Sequence, residues 1–152
     1  WLPTIAPSPV REPAHRTIPK EMEIADIQRV IKAYGAAARR CKEGGLDGAE
    51  IEAYGHLFDS FWTPLVNRRS DQYGGSLDNR MRFSLEALAE IRKQVGDDFI
   101  IGIRMSGDES VEGSRAKSSH IASIMLNFSV RVICSMFNML CLTVSFCREI
   151  RF

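Results

Sequence analysis

Apolar residues recur at steps of three and four between residues 24 and 43, which is the spacing of one face of an α-helix. Asp26 near the start suits the positive end of the helix dipole, and Lys42 near the end suits the negative end. Gly44 and Gly45 follow, and glycine readily takes the left-handed conformation that ends many helices. The pattern predicts a helix over residues 24–43 whose apolar face is formed by Ile27, Val30, Ile31, Tyr34, Ala38 and Cys41.

A second helical period runs from residue 77 to residue 95. Ser76 precedes it, and serine is a favoured N-cap because its hydroxyl accepts a hydrogen bond from a backbone N–H of the first turn. Gly96 follows it and is a natural end. We therefore predict a helix over residues 77–95 with an apolar face formed by Leu77, Met81, Leu85, Leu88, Ile91 and Val95.

Two shorter segments are typical of strands. Residues 46–53 form the first, and the nearly unbroken apolar run of residues 99–105 predicts a strand that is covered on both faces. Residues 54–75 connect the first strand to the second helix, with one possible helical turn from His56 to Trp62. The order helix, strand, helix, strand predicts parallel pairing and an α/β architecture.

The two ends of the chain differ from this regular part. Residues 1–20 hold five of the six prolines and predict an extended loop, since proline lacks the backbone donor. Residues 121–147 are largely apolar, with Arg131 as the only charge, and have no clean helical or strand period. Three interpretations of this tail stay open: sequence foreign to the rest of the domain, a membrane-spanning helix, or a core segment.

Charge marks the same division. Residues 1–113 carry 15 basic and 18 acidic residues, whereas residues 114–152 carry 5 basic residues and one acidic residue. A shift of this kind suggests segments of different origin or role. We therefore divide the chain into residues 1–113 and an atypical apolar tail of residues 114–152.

Composition excludes several classes of function. The 152 residues suffice for one domain but fall short of the roughly 250 residues of a (β/α)8 barrel. A net charge of +1 gives no reason to expect a nucleic-acid partner or a membrane surface. No signal peptide is evident, so we expect a cytoplasmic location. The four cysteines lack the spacing of metal or iron–sulfur sites, so we expect neither a metal nor iron–sulfur ligands.

The longest sequence motif lies between Arg68 and Phe83 and reads R-x-D-x-Y-G-G-S-x-x-N-R-x-R-F. It resembles the loop and helix after the fourth strand in the old yellow enzyme family, the FMN-dependent NADH:flavin oxidoreductases. The resemblance covers about residues 7–113. It implies an α/β fold that is an incomplete (β/α)8 TIM barrel of two to three βα units, with a C-terminal tail that does not match.

The resemblance also implies site residues, because the carboxyl ends of barrel strands face the active site. Tyr54 falls where the family places a histidine or asparagine that binds the substrate, and His56 falls where it places a proton-donating tyrosine. Glu52 lies near a position that is often histidine, and we expect it to attract a cationic substrate or orient His56. This variant is closer to relatives that oxidise N-methylated amines and betaine-like amino acids.

Arg104 is the predicted cofactor-binding residue. In the family, its position places a guanidinium against the pyrimidine edge of FMN, where a cation stabilises the reduced flavin. The alternative is a structural salt bridge to an acidic neighbour such as Asp108.

The sequence thus supports two hypotheses from different classes. In the first, the chain is a fragment of an enzyme that transfers hydride through FMN to or from a small organic substrate, with NAD(P)H as the electron donor. In the second, it is a truncated, non-catalytic remnant that is unable to bind FMN alone. A third hypothesis makes residues 121–147 a membrane anchor. The substrate and the oligomeric state are not fixed by the sequence.

Overall fold

The computed structural model describes residues 3–12, 16–53, 55–106 and 132–137. In chain order its elements are β1 (Ile5–Ala6), β2 (Lys20–Glu21), α1 (Ile24–Glu43), β3 (Gly48–Glu52), α2 (Leu57–Trp62), α3 (Leu77–Val95), β4 (Ile100–Ser106) and β5 (Val132–Phe137). The predicted order of helices and strands is confirmed, and the predicted helical turn is α2.

The main sheet is parallel and has the order β3-β4-β5. Glu50 pairs with Gly102 and Glu52 with Arg104, and β4 continues beyond this last pair to Ser106. The connection between them contains α2 and α3, as parallel pairing requires. This is the α/β repeat that the sequence predicted.

Helix α1 begins with a reciprocal capping box. The backbone N–H of Glu23 donates to Asp26, and the Glu23 side chain accepts from the third backbone N–H of the helix. The C-cap is Gly44, at φ −77°, and the left-handed residue is Gly45, at φ 83°. The glycine pair thus ends the helix as predicted, with the left-handed conformation at the second position.

Helix α3 begins where Ser76 accepts a hydrogen bond from the backbone N–H of Asn79. It ends at Gly96, whose φ of 73° favours glycine. Inside, Trp62 of α2 donates its indole N–H to the Ser84 hydroxyl at 2.8 Å, so this buried polar pair is satisfied.

The N-terminal segment is more regular than predicted. Ile5 pairs with Lys20 and Ala6 with Glu21 in a short parallel ladder, where the prolines predicted only extended loop. Pairing between strands this short depends on the rest of the fold, which a local pattern does not encode.

The motif between β3 and α3 braces this segment. Arg69 is buried and donates to the carbonyl oxygens of Pro7 and Met22, at 2.9 and 2.6 Å, and to the carboxylate of Asp71. Asn67, also buried, donates to the carbonyl oxygen of Tyr73. These bonds tie the loop before α3 to the chain before α1.

One core lies between the sheet and the helices. It contains Ile27 and Ile31 of α1, Leu88 and Ile91 of α3, and a helix-facing set of sheet residues, namely Ile51, Ile101, Ile103 and Met105. We call that set the helix face of the sheet. The prediction that β4 is covered on both faces was wrong for the described residues, because Ile100 is 52% exposed and Arg104 is half-exposed. The sheet is apolar on the helix face and open on the other.

The strand β5 lies in the tail segment. It pairs in parallel with β4 from Val132 to Phe137, with Arg104 opposite Ser135. The proposed division at residue 113 stays a prediction, and most of the segment proposed as a membrane anchor, residues 121–147, lies outside the described residues.

Candidate functional site

The second face of the sheet carries charge. Because side chains alternate along a strand, Glu50 and Glu52 of β3 and Arg104 of β4 point away from the helix face. Gly102 of β4 lies on the same face. We call these four residues, together with Gly48, the charged face. Its charged side chains gather toward the carboxyl ends of the two strands, where a parallel α/β sheet places its ligands.

Arg104 is held between two carboxylates. Its Nη2 lies 2.7 Å from Oε1 of Glu50, and its Nη1 lies 3.4 Å from Oε2 of Glu52. Glu52 is the direct cross-strand partner of Arg104, whereas Glu50 reaches it diagonally. The structure thus brings the predicted residues Glu52 and Arg104 together.

These ion pairs are partly solvated. The side chains of Arg104, Glu50 and Glu52 are 43%, 40% and 41% exposed. Arg104 is therefore not the buried cation that the apolar run around it suggested. Asp108, named as a possible partner in the alternative of a structural salt bridge, lies outside the described residues. Solvent screening limits such pairs to about 1 kcal/mol or less. They therefore contribute little to the stability of the fold.

His56 lies just beyond β3, at the N-cap of α2, and its side chain is exposed. Its carbonyl oxygen accepts from the backbone N–H and the hydroxyl of Ser60, at 3.1 and 2.8 Å. Asp59 accepts from the backbone N–H of Gly55 at 2.6 Å, and Gly55 has a φ of 70°. These contacts fix the backbone on which His56 is carried.

Tyr54 lies outside the described residues. Its predicted role, and the convergence of Tyr54 and His56 with Arg104, therefore stay predictions.

Glu50 was missed by the sequence analysis. It makes a shorter contact with Arg104 than Glu52 does, yet the strand-end argument considered only residues from Glu52 onward. The signal was available, because a residue two positions before Glu52 lies on the same face of the strand.

Tyr73, in the motif between Arg68 and Phe83, is structural rather than catalytic. Burial, and then the hydrogen bond to Glu86, raise the pKa of its phenol above the ordinary value of 10.0. It donates to Glu86 at 2.8 Å and accepts from Gln28 at 2.9 Å. At neutral pH it is therefore a neutral donor that links α3 to α1.

A groove of about 370 Å³ lies on the opposite, helical side of the molecule. It is lined by Gln28, Ile31, Glu86, Ala89, Glu90 and Lys93 of α1 and α3. It contains none of the predicted site residues, and its polar groups pair with one another, as Lys93 does with Glu90 at 3.6 Å. We therefore place the candidate site on the charged face.

Within the described ranges, no three His, Cys, Asp or Glu side chains are grouped to bind a metal ion. The helices found there are also too short or too polar to cross a bilayer.

Comparison with known proteins identifies the family. The sequence profile of the NADH:flavin oxidoreductase / NADH oxidase family matches residues 3–139. The chain belongs to this family. The match runs through β5, beyond the predicted boundary at residue 113, and it agrees with the resemblance noted in the sequence.

Two curated relatives from this family are more than 50% identical to the chain over the matched residues. The chain is 55% identical over 121 residues to the multifunctional alkene reductase/demethylase OYE of Caballeronia cordobensis, covering 76% of this chain and 18% of the relative. It is 54% identical over 118 residues to the probable N-methylproline demethylase of Rhizobium meliloti, covering 78% of this chain and 17% of the relative. The chain thus spans less than a fifth of the length of these relatives.

A solved structure supports the fold. A 2-naphthoyl-CoA reductase complex superposes with a TM-score of 0.78 at 34% identity, covering 87% of this chain and 21% of that chain. The chain therefore forms a few βα units of the barrel that these family members share.

Proposed function

We propose that this chain is a segment of an FMN-dependent oxidoreductase that passes hydride through FMN to or from a small organic substrate, with NAD(P)H as the electron donor. The observation that supports it most is the position of Arg104, a half-exposed cation at the carboxyl end of β4, in a chain of the flavin oxidoreductase family. The 2-electron chemistry itself belongs to the flavin, and the protein supplies binding, orientation and charge.

The charged face fits one part of FMN. Arg104 offers a planar guanidinium on an accessible sheet face, which suits hydrogen bonding to the oxygen and nitrogen atoms of a pyrimidine edge. Its positive charge favours the anionic, reduced form of the flavin. The neighbouring carboxylates of Glu50 and Glu52 moderate that effect, since they lie 2.7 and 3.4 Å from the same guanidinium.

We further propose that a methylated amine is a substrate. The amine then takes the place of NAD(P)H as the hydride donor to FMN, and a separate electron acceptor reoxidises the flavin. Glu52 is exposed at the end of β3 and supplies negative charge near the site, which attracts a cationic ammonium group. His56 follows on the loop to α2 and is the group that holds or accepts a proton, with Tyr54 as the hydrogen-bonding partner of the substrate. Both curated relatives described above carry demethylase in their names.

The experiment uses a completed barrel, defined as the Caballeronia relative in which residues 3–106 of this chain replace the matching segment. We expect a yellow protein whose flavin band bleaches under anaerobic NAD(P)H or N-methylproline. A folded, colourless product contradicts the proposal. Bleaching by NAD(P)H without any response to methylated amines contradicts only the substrate class.

The second candidate is the truncated remnant. It is favoured by the charged face, where three charged side chains are about 40% exposed. Titration of the 152-residue chain with FMN, followed by fluorescence quenching, tests it. We expect no saturable binding, and stoichiometric binding contradicts the remnant.

A further inference from the structure

Glu50 combines three properties that single it out on the charged face. Its carboxylate makes the shorter of the two contacts with Arg104, at 2.7 Å against 3.4 Å for Glu52. Its cross-strand partner is Gly102, which lies farther from the carboxyl end of β4 than Arg104 does, so Glu50 contacts Arg104 diagonally. It is also not a strand-end residue, so a substrate at the carboxyl end meets Glu52 before it meets Glu50.

Gly102 makes the diagonal contact possible. It is the cross-strand partner of Glu50. A Cβ added at Gly102 would lie 3.3 Å from Cγ and 3.4 Å from Cβ of Glu50, closer than most side chains tolerate. Because glycine has no side chain, the Glu50 side chain can lie against β4 at this position.

Stability does not explain this arrangement. Both partners are about 40% exposed, so water screens the pair, and its contribution to folding is small. A guanidinium that must meet a flat ligand edge, in contrast, has to be held to within about 0.5 Å. The carboxylate of Glu50, which is carried on a strand, can restrict the position of the Arg104 guanidinium in this way.

We infer that Glu50 is a positioning residue, which sets the place of the Arg104 guanidinium across the gap left by Gly102. This role rests on the proposed function, in which Arg104 meets the flavin. In this proposal, the role of Glu52 is to attract the cationic substrate. Glu50 itself touches neither the flavin nor the substrate.

The test compares E50A, E50Q and G102A in the completed barrel. E50A removes the acceptor, so we expect FMN affinity to fall by at least about tenfold, as a misplaced binding group does. E50Q keeps an oxygen acceptor, and we expect its affinity to stay within about threefold of wild type. G102A keeps the Glu50 charge but displaces the side chain, and we expect an intermediate loss.

The matched control is E43A. Glu43 pairs with Arg39 at 2.5 Å on the exposed surface of α1, away from the sheet. We expect E43A to leave FMN affinity unchanged. Unchanged affinity in E50A, in a protein where R104A does weaken FMN binding, overturns the inference.

Crystal structures of wild-type and E50A completed barrels provide a readout that does not depend on FMN. We expect the guanidinium of Arg104 to move toward Glu52 by more than about 0.5 Å in E50A. An unmoved guanidinium overturns the inference even if FMN binds. Absence of FMN from the wild-type protein refutes the proposed function instead, and the guanidinium position still decides the role of Glu50.

Discussion

At the scale of single residues, Arg69 connects the loop before α3 to the chain before α1. Its side chain is 6% exposed, and it donates to two backbone carbonyl groups before α1 as well as to Asp71. The sequence could not predict these bonds, because the carbonyl groups of Pro7 and Met22 lie more than 40 residues away from Arg69 along the chain.

Replacement of Arg69 by alanine leaves those buried carbonyl oxygens without their donor. We expect R69A to lower the free energy of unfolding by about 2 kcal/mol or more, since hydrogen bonds to charged groups are among the stronger ones. Urea denaturation of the completed barrel measures it. The control is R68A, whose side chain is exposed and whose effect should stay within about 0.5 kcal/mol. Equal effects from the two variants would refute the bracing role.

Asp71 makes the same contact sensitive to pH. The hydrogen bond from Arg69 is the main reason that its pKa in the folded chain lies below the ordinary value of 3.8. The contribution to stability is therefore complete above that value and is lost as the pH falls through the lower, folded pKa. We expect the difference in melting temperature between wild type and D71N to shrink as the pH is lowered below about 4. A difference that is constant from pH 6 to pH 3 would contradict this.

At the scale of elements, the helices were predictable and the sheet was only partly so. In helices α1 and α3 the apolar residues recur with a clear helical period, and the caps, such as Ser76, are local. The bounds of both helices therefore follow from nearby residues. The pairing of β1 with β2 and the open face of β4 depend on distant partners. A run of apolar residues indicates burial but does not show which face is covered, and Arg104 lies on the uncovered one.

The loop before α3 has a position that only glycine fits. A Cβ at Gly74 would lie 2.1 Å from the carbonyl oxygen of Arg69, which is backbone and cannot move aside. We expect G74A to destabilise the completed barrel by about 1–3 kcal/mol, in the range of an overpacked site. The control is G44A, where φ is −77° and the nearest atom would be 3.3 Å away. Thermal unfolding compares the two, and a G74A variant as stable as G44A would show that the loop adapts.

At the scale of the whole molecule, the chain matches less than a fifth of the length of its curated relatives. In the described part, β3 lies at one edge of the main sheet and its strand partner is β4. The site could be located because parallel strands end at one edge. The roles of Tyr54 and His56 stay predictions, because they come from the family resemblance and not from the arrangement of the strands.

The β3 edge has a measurable consequence. We expect the 152-residue chain to associate as its concentration rises, because the β3 edge of the described sheet and the exposed Ile100 favour contact between copies. The completed barrel, in which the edge is paired, should keep a constant mass. Light scattering over a hundredfold concentration range measures both. A 152-residue chain that stays monomeric throughout would show that its edge is protected.

The contribution of Arg104 to a flavin site is tested most directly by the midpoint potential of FMN in the completed barrel. Spectroelectrochemical titration compares wild type with R104M, which removes the cation and keeps an unbranched side chain. The account predicts a fall of at least about 30 mV for the 2-electron couple, equal to about 1.4 kcal/mol of lost stabilisation of the reduced flavin. An unchanged potential, together with unchanged FMN affinity, would show that Arg104 does not face the flavin.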